Sequence, residues 1–253
     1  MYAPERHQQI LERARTDGRV EVTSLARDLG VTPETVRRDL SVLERHGHVR
    51  RVHGGAIPVE RLGIEPAIAE REGVLAAEKA RIAKTALDEL PDQGSVILDA
   101  GTTTVRLAEM LPTDRELTVV THSLPIAMLV AARSNLHLHL VGGSVRGRTL
   151  AAVGPWAERD LHDVHVDVAF LGTNGLTVEQ GLTTPDLVEA SVKRAIVDAA
   201  RRVVVLADHT KVGRSDFAHV ADLSRVDVLI TDTGIDPDLA EGVQDAGPMV
   251  VRA

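Results

Sequence analysis

Residues 31–40, Val31-Thr32-Pro33-Glu34-Thr35-Val36-Arg37-Arg38-Asp39-Leu40, contain a complete helix start. Thr32 is a strong N-cap, and Pro33 falls at the first helical position, where its missing N–H costs nothing. Glu34 favours the positive end of the helix dipole. The spacing of Val36, Leu40 and Leu43 predicts a helix to about His46, with Gly47 closing it. Upstream, Ser24 is a candidate cap for a short helix carrying Leu25, Ala26 and Leu29 on one face and stopped by Gly30. Further upstream, Ile10, Leu11 and Ala14 predict an amphipathic helix over residues 5–16. Asp17-Gly18 ends it, and Val20 and Val22 follow as a strand-like entry.

Two helices joined at a glycine, the second newly capped, have the layout of a helix-turn-helix. In that motif the first side chains of the second helix reach base edges. Here they are Thr32, Pro33, Glu34, Thr35, Arg37 and Arg38. Arg37 and Arg38 lie roughly 100° apart on the helix, so one can face bases while the other grips phosphate. Beyond Gly47, the alternation around Val49-Arg50-Arg51-Val52-His53 and the pair Gly54-Gly55 predict a β-hairpin wing with basic tips. A solvated helix face and a charged hairpin edge are the plain alternatives for the two arginine pairs. Their combination on a capped helix and its wing points to DNA.

The chain has 253 residues and a net charge of −8. Residues 1–56 carry ten arginines against eight acids, a balance of +2, and the rest carries −10. The length predicts one or two domains. The longest apolar run, Leu124–Ala132, has nine residues including Pro125, too short to cross a membrane. The first residues, MYAPERHQQ, do not read as a signal peptide. The absence of cysteine excludes disulfides, thiolate metal sites and a cysteine nucleophile, and suits a reducing cytoplasm. With Tyr2, Trp156, Phe170 and Phe217 as the only aromatics, single-stranded nucleic acid cannot be read by stacking.

Residues 57–66 contain Pro58 and Pro66 and predict an extended connector. The expected division is therefore residues 1–56, a linker over 57–72 and a second domain over 73–253. The second domain opens with a helix from about Gly73 to Leu90. Strands are expected at Ser95–Asp99, Leu117–Thr121, Leu136–Val141, Val166–Leu171, Arg202–Ala207 and Val226–Thr231. Helices are expected from Gly101 to Leu111, Ser123 to Ala132 and Pro185 to Arg201. Repeated strand–helix units imply an α/β fold with a mainly parallel sheet, which binds ligands at the carboxyl ends of its strands.

Those ends carry Asp99, Gly101, Thr102, Thr103 and Thr104, then His122 and Ser123, Gly142 and Gly143, Asn174 and Gly175, and Asp208 and Lys211. Thr102–Thr104 open a helix, where backbone N–H groups suit a phosphate. Lys211 and Arg146 offer positive charge, and Asp99 and Asp208 offer acceptors for sugar hydroxyls. Each piece has a plain alternative: Thr102 as a cap, Gly142-Gly143 as a turn.

The string TVRRDL at 35–40 followed by RVHGGA at 51–56 resembles the DNA-binding domain of the DeoR family of bacterial transcriptional regulators. DAGTTT at 99–104, GLTT at 181–184, Glu189, Lys193 and LADHTK at 206–211 look like that family's effector domain. The resemblance covers about residues 3–250. It implies an N-terminal winged helix-turn-helix and a C-terminal domain similar to the sugar-phosphate isomerase and CoA-transferase group. One departure is His122, where the family has Asn, so a ring replaces an amide near the implied sugar. Trp156 reads as packing. PVERLG at 58–63 and LGTNGLTVEQGLTTPD at 171–186 are similar to actinobacterial regulators of fructose-utilisation genes.

The resemblance implies a cytoplasmic, non-enzymatic repressor of a carbohydrate operon. Its partners are double-stranded operator DNA and a phosphorylated sugar, fructose 1-phosphate by the last likeness, and it works as a homodimer or homotetramer without a membrane. A sugar-phosphate isomerase using Asp99, Asp208 or Lys211 is the alternative, but such an enzyme has no use for residues 31–40. A metal site would need a third ligand beside His137 and His139, and none has matching spacing, so no metal or other cofactor is expected. No P-loop is present.

Overall fold

The computed structural model describes residues 3–45, 49–52, 54–58 and 66–253. The chain divides into two compact units, Met1–Glu70 and Arg71–Ala253.

The first unit contains α1 (Ala3–Asp17), β1 (Val20–Glu21), α2 (Val22–Asp28), α3 (Pro33–Arg45), β2 (Val49–Val52) and β3 (Gly55–Pro58). Ile10, Ala14, Leu25, Val36, Leu40 and Val49 close one small core, all at most 2% exposed. The helical spacing predicted for Val36, Leu40 and Leu43 is thus what buries α3. Thr32 caps it as expected, its Oγ1 accepting the Thr35 N–H at 3.2 Å. Ser24 does not cap α2. The N-cap is Glu21, three residues earlier, and the helix opens at Val22, because the pairing of Val20 and Glu21 with β3 ends there. β2 and β3 form the wing, antiparallel from Val49 opposite Pro58 to Val52 opposite Gly55. Gly55 is required: a Cβ there would lie 1.9 Å from the Val20 carbonyl oxygen. The wing includes Ile57 and Pro58, which the composition alone had placed in the connector. The expected closure at Gly47 and the tip at His53 lie outside the described residues.

The helix predicted from Gly73 to Leu90 is broken. α4 (Ile68–Glu72) and α5 (Ala76–Ala86) meet at a corner where Leu75 is left-handed (φ 51°), and a 3-10 turn covers Leu87–Glu89. The second unit continues with β4 (Gly94–Leu98), α6 (Thr102–Met110), β5 (Leu117–Thr121), α7 (Leu124–Ala131), β6 (Leu136–Leu140), β7 (Ser144–Arg146), β8 (Ala151–Val153) and α8 (Pro155–His162). It ends with β9 (Val166–Gly172), β10 (Gly175–Thr177), β11 (Gly181–Thr184), α9 (Leu187–Ala199), β12 (Ala200–Leu206), β13 (Ala218–Ala221), β14 (Val228–Thr231), α10 (Pro237–Asp245) and β15 (Met249–Arg252).

Seven strands form one parallel sheet in the order β15-β14-β12-β9-β4-β5-β6. Both faces are covered, as a parallel sheet requires. Alternate residues of the same strands feed two cores. Ile97, Ala169, Val203 and Val205 pack with α8, α9 and α10; Val96, Leu98, Phe170 and Val204 pack with α5, α6 and α7. Trp156 is 69% exposed rather than packed, because α8 turns Ala157 and Leu161 inward and leaves its neighbour outside.

The strand order reverses between β4 and β9. From β4 the chain runs outward through β5 to β6; from β9 it runs the other way to β15. Open α/β sheets bind ligands outside the strand ends at such a point.

Candidate functional site

On the first unit, Thr32, Glu34, Arg37 and Arg38 are exposed along one end of α3, and Thr35 is half-buried. Arg37 is not idle: its Nη1 donates to Glu34 Oε2 at 3.1 Å, one turn back. Asp39, next along, faces the other way and is 4% exposed. It accepts Arg6 Nε at 2.6 Å and Arg6 Nη2 at 3.0 Å, with His7 Nε2 3.0 Å away. Burial pushes this carboxyl up, but the bonds from Arg6 and His7 outweigh it and hold it below its ordinary value.

The two wing arginines have different surroundings. Arg51 donates its backbone N–H to Glu44 and Nη1 to Ser41 Oγ, so it stitches the wing to α3. Arg50 is exposed and points to the opposite face of β2. The surface formed by the start of α3 and by Arg50 combines exposed cations with a rigid backing, the arrangement by which a helix enters a major groove.

In the second unit the strand ends converge on Asp99. It follows β4, is fully buried, and has both oxygens in use. Oδ2 accepts the Gly172 N–H at 2.8 Å and the Lys193 ammonium; Oδ1 faces His122 Nε2 at 3.0 Å. Lys193 also donates to the Gly172 carbonyl at 2.9 Å. Thus β4, β9 and α9 are pinned together at the point of reversal. Burial pushes the Asp99 carboxyl up, but the charge of Lys193 and the contact with His122 prevail and bring it down to about 2. With both oxygens so engaged, Asp99 holds the ends of β4 and β9 together.

His122 is also engaged. Its Nδ1 lies 2.9 Å from the Ala152 carbonyl, which can only accept, so Nδ1 carries a proton. Nε2 meets the Ala100 N–H at 3.2 Å and Asp99 at 3.0 Å, and only one of these can be its hydrogen bond. A neutral ring accepts from Ala100; a charged ring donates to Asp99. The ring that replaces the implied amide is therefore walled in, 1% exposed. Ser123 is likewise buried, and its Oγ has no hydrogen-bond partner among the described residues.

α6 opens at Thr102 with Gly101 as N-cap and no side-chain cap, and Thr102, Thr103 and Thr104 are all at most 8% exposed. Thr104 Oγ1 donates back to the Gly101 carbonyl at 2.9 Å. The first N–H groups of a helix have no partner within it. On the other side of the reversal, Asp208 follows β12 and accepts Thr210 N–H and Oγ1. Burial raises the Asp208 carboxyl, but Lys211 and Thr210 lower it more.

Other expected residues are placed differently. Arg146 is committed to acids: it pairs with Glu189 and, at 3.2 Å, with Asp186, so its charge is already answered. Gly142 donates its N–H to Asp160. Gly143 (φ +150°) lets β8 pass, since a Cβ would lie 2.6 Å from the Val153 carbonyl oxygen. Gly175 does the same for Arg214, whose carbonyl oxygen would be 2.5 Å from a Cβ. Asn174 Oδ1 accepts Thr184 Oγ1 at 3.1 Å. His137 and His139 stack edge to face at 4.7 Å on β6, and no metal-holding cluster occurs among the described residues.

Among the buried charges to which sequence reasoning assigned no role are Lys79 on α5, and Glu189 and Lys193 on α9. All are at most 5% exposed. The signal was present, since Glu189 and Lys193 lie four apart on a helix otherwise apolar on that side. Among the described residues, no helix is long and apolar enough to cross a membrane.

Residues 6–61 match the DeoR-like helix-turn-helix domain, and residues 75–233 match the DeoR C-terminal sensor domain. The HTH-type transcriptional regulator GlpR of Haloferax volcanii is 41% identical over 99% of this chain and 98% of its own. The putative aga operon transcriptional repressor of Escherichia coli O157:H7 is 32% identical over 98% and 93%. The glycerol-3-phosphate regulon repressor of Escherichia coli is 29% identical over 92% of each. Ribose 5-phosphate isomerase of Methanocaldococcus jannaschii superposes on 53% of this chain and 52% of its own at 18% identity, with a TM-score of 0.39, too slight to bear on activity. Helix-turn-helix and sensor domain together, matched along nearly the full length of named regulators, show that the chain is no isomerase and belongs to the DeoR family of DNA-binding transcriptional regulators.

Proposed function

We propose that this regulator represses a carbohydrate-utilisation operon and is released from its operator by a phosphorylated sugar bound at the reversal of the sheet. The observation that carries the reading is the buried, uncapped first turn of α6 beside that reversal. The N–H groups of Thr102, Thr103 and Thr104 open the helix there, and a phosphate supplies the acceptors a buried helix start lacks. Lys211 contributes charge from the far side. Ser123, Asn174 and Asp208, with the backbone at Gly101, Gly142, Gly143 and Gly175, border the sugar. Asp99 and His122 position these groups without touching it.

On the DNA side, Arg37 reads a base and Arg38 a phosphate, with Thr32, Glu34 and Thr35 beside them. Arg50 and His53 reach the backbone from the wing, and Arg51 holds the wing in place. Two copies place their α3 helices in successive major grooves, as a homodimer or within a tetramer, in the cytoplasm with the chromosome. The sugar phosphate favours a copy-to-copy arrangement that no longer fits the operator, by no more than its difference in affinity for the two states.

The test is anisotropy of labelled DNA from the gene's own upstream region, at fixed salt. Fructose 1-phosphate is the first addition, followed by other sugar phosphates and their free sugars. Release by one phosphate and not by its free sugar is expected. Operator binding that none of them alters overturns the effector reading.

A further inference from the structure

The free edge of the large sheet at β6 carries a symmetric pattern. β6 is the last strand on its side and pairs with β5 alone. Its sequence, Leu136-His137-Leu138-His139-Leu140, reads the same in both directions. Edge strands are commonly guarded by a lysine, a proline or a bulge, and this one has none of them. Leu140 is 50% exposed.

Strand alternation fixes where the two imidazoles lie. Leu136 is buried in the core that α7 covers, and Leu138 packs against it. His137 and His139 therefore project from the other face, and both are exposed. Residues two apart on a strand stand about 6.6 Å apart. The ring centroids are only 4.7 Å apart, so the two side chains lean together. Two imidazoles on one tetrahedral ion have centroids roughly 5 Å apart, given metal–nitrogen bonds of about 2.0–2.1 Å. Neither ring has a hydrogen bond or an ion pair among the described residues.

Two nitrogens are half the ligands of such an ion, and the same strand of a second copy can supply the other half. The Val141 N–H donates to the Thr121 carbonyl, towards β5. By alternation His137 and His139 also turn their backbone groups towards β5, while Leu138 and Leu140 turn theirs outward. A second β6, laid antiparallel about a two-fold axis at Leu138, would meet those outward groups. Leu138 then faces the partner's Leu138 as a hydrogen-bonded pair. His137 faces the partner's His139 in a pair without hydrogen bonds, where side chains stand closest. All four imidazoles fall on one face.

We propose that His137 and His139 are half of a transition-metal site, completed when a second copy of the chain pairs its own β6 antiparallel to the first. The ligand is a divalent ion of the class that suits imidazole: zinc, nickel or copper. Magnesium and calcium take oxygen ligands instead. The ion joins two seven-stranded sheets edge to edge. The site is incomplete in one copy, and it stands or falls apart from the effector reading.

The test uses the full chain freed of metal by a chelator, with zinc sulfate as the probe and magnesium chloride as the control. Calorimetry gives affinity and stoichiometry, and light scattering gives the mass of the assembly. One zinc per two chains is expected, with a mass that doubles on adding zinc and reverts on chelation. Cobalt(II) in place of zinc should show the intense visible absorption of a four-coordinate ion. His137→Asn and His139→Asn should each lower zinc affinity by more than about 100-fold and abolish the doubling, since even a change behind a ligand costs about 10- to 100-fold. Both side chains are exposed, so the variants should keep the wild-type melting temperature. Amide exchange at Leu138 and Leu140 should slow with zinc. One zinc per chain with unchanged mass overturns the sharing between copies. Doubling that survives both substitutions together assigns the ion to other histidines and overturns the site, as does an equal response to magnesium or no zinc binding at micromolar concentration. Exchange at Leu138 and Leu140 that zinc leaves unchanged overturns the pairing of β6.

Discussion

The Arg6 guanidinium grips the Asp39 carboxylate with two nitrogens, at 2.6 and 3.0 Å, and so ties α1 to the back of α3. The residue beside Asp39 in sequence, Arg38, is exposed. One dipeptide thus serves both the surface and the core.

Asp39→Ala leaves the Arg6 charge buried without its partner, which costs roughly 3–5 kcal/mol. Urea unfolding of the first unit should show a loss of that order. The Asp39 carboxyl sits below its ordinary value. Its contribution is therefore full above the ordinary carboxylate range and fades as pH falls through it. The wild type should lose stability towards Asp39→Ala on acidification; parallel pH profiles would remove Asp39 from the account.

Arg37→Ala should weaken operator binding by about 1–3 kcal/mol and relax the preference at one base pair. Arg38→Ala should weaken all sequences alike and lower the salt slope by about one. Titrations at three salt concentrations separate the two. Equal effects on operator and random DNA for Arg37→Ala would reassign it to phosphate.

Lys193→Met strands the buried Asp99 carboxylate, at a cost of roughly 3–5 kcal/mol. Adding Asp99→Asn should recover part of it, a coupling measured by a double-mutant cycle. Asp99 is held down at about 2, so its stabilisation persists above the ordinary carboxylate range and disappears as pH falls from there to about 2. Additive single effects would mean that the pair does not interact.

Lys211→Ala should leave operator affinity within about threefold, since the residue lies in the second unit, and should abolish release by the sugar phosphate. Anisotropy with and without effector reads both. Release that survives would move the phosphate away from the β12 turn.

The helix-turn-helix was legible because its signals are local: Thr32, Pro33 and Gly30 punctuate, and Val36, Leu40 and Leu43 set the period. Six of the seven strands of the large sheet were legible as short apolar runs, all but the edge strand β15. β7, β8, β10, β11 and β13 were not, being strands of three or four residues without alternation, fixed only by tertiary pairing. Ser24 and Leu75 misled because the strand pairing of Val20–Glu21 and the packing of α5 overrode local preference. Lys193 was illegible as a site residue because its partner, Asp99, lies 94 residues away. Composition reads a lysine as surface, and only the fold brings its counter-charge.

The seam that Asp99, Gly172 and Lys193 close at the reversal of the sheet separates two kinds of change during evolution. The seam uses backbone and buried charge and makes no reference to any particular sugar. The β7–β8 hairpin meets that seam through the bonds between Ala152 and His122, and the segment from Thr173 to Asp186 runs on from β9. On the effector reading proposed above, drift in those loops exchanges one ligand for another while the platform keeps its shape.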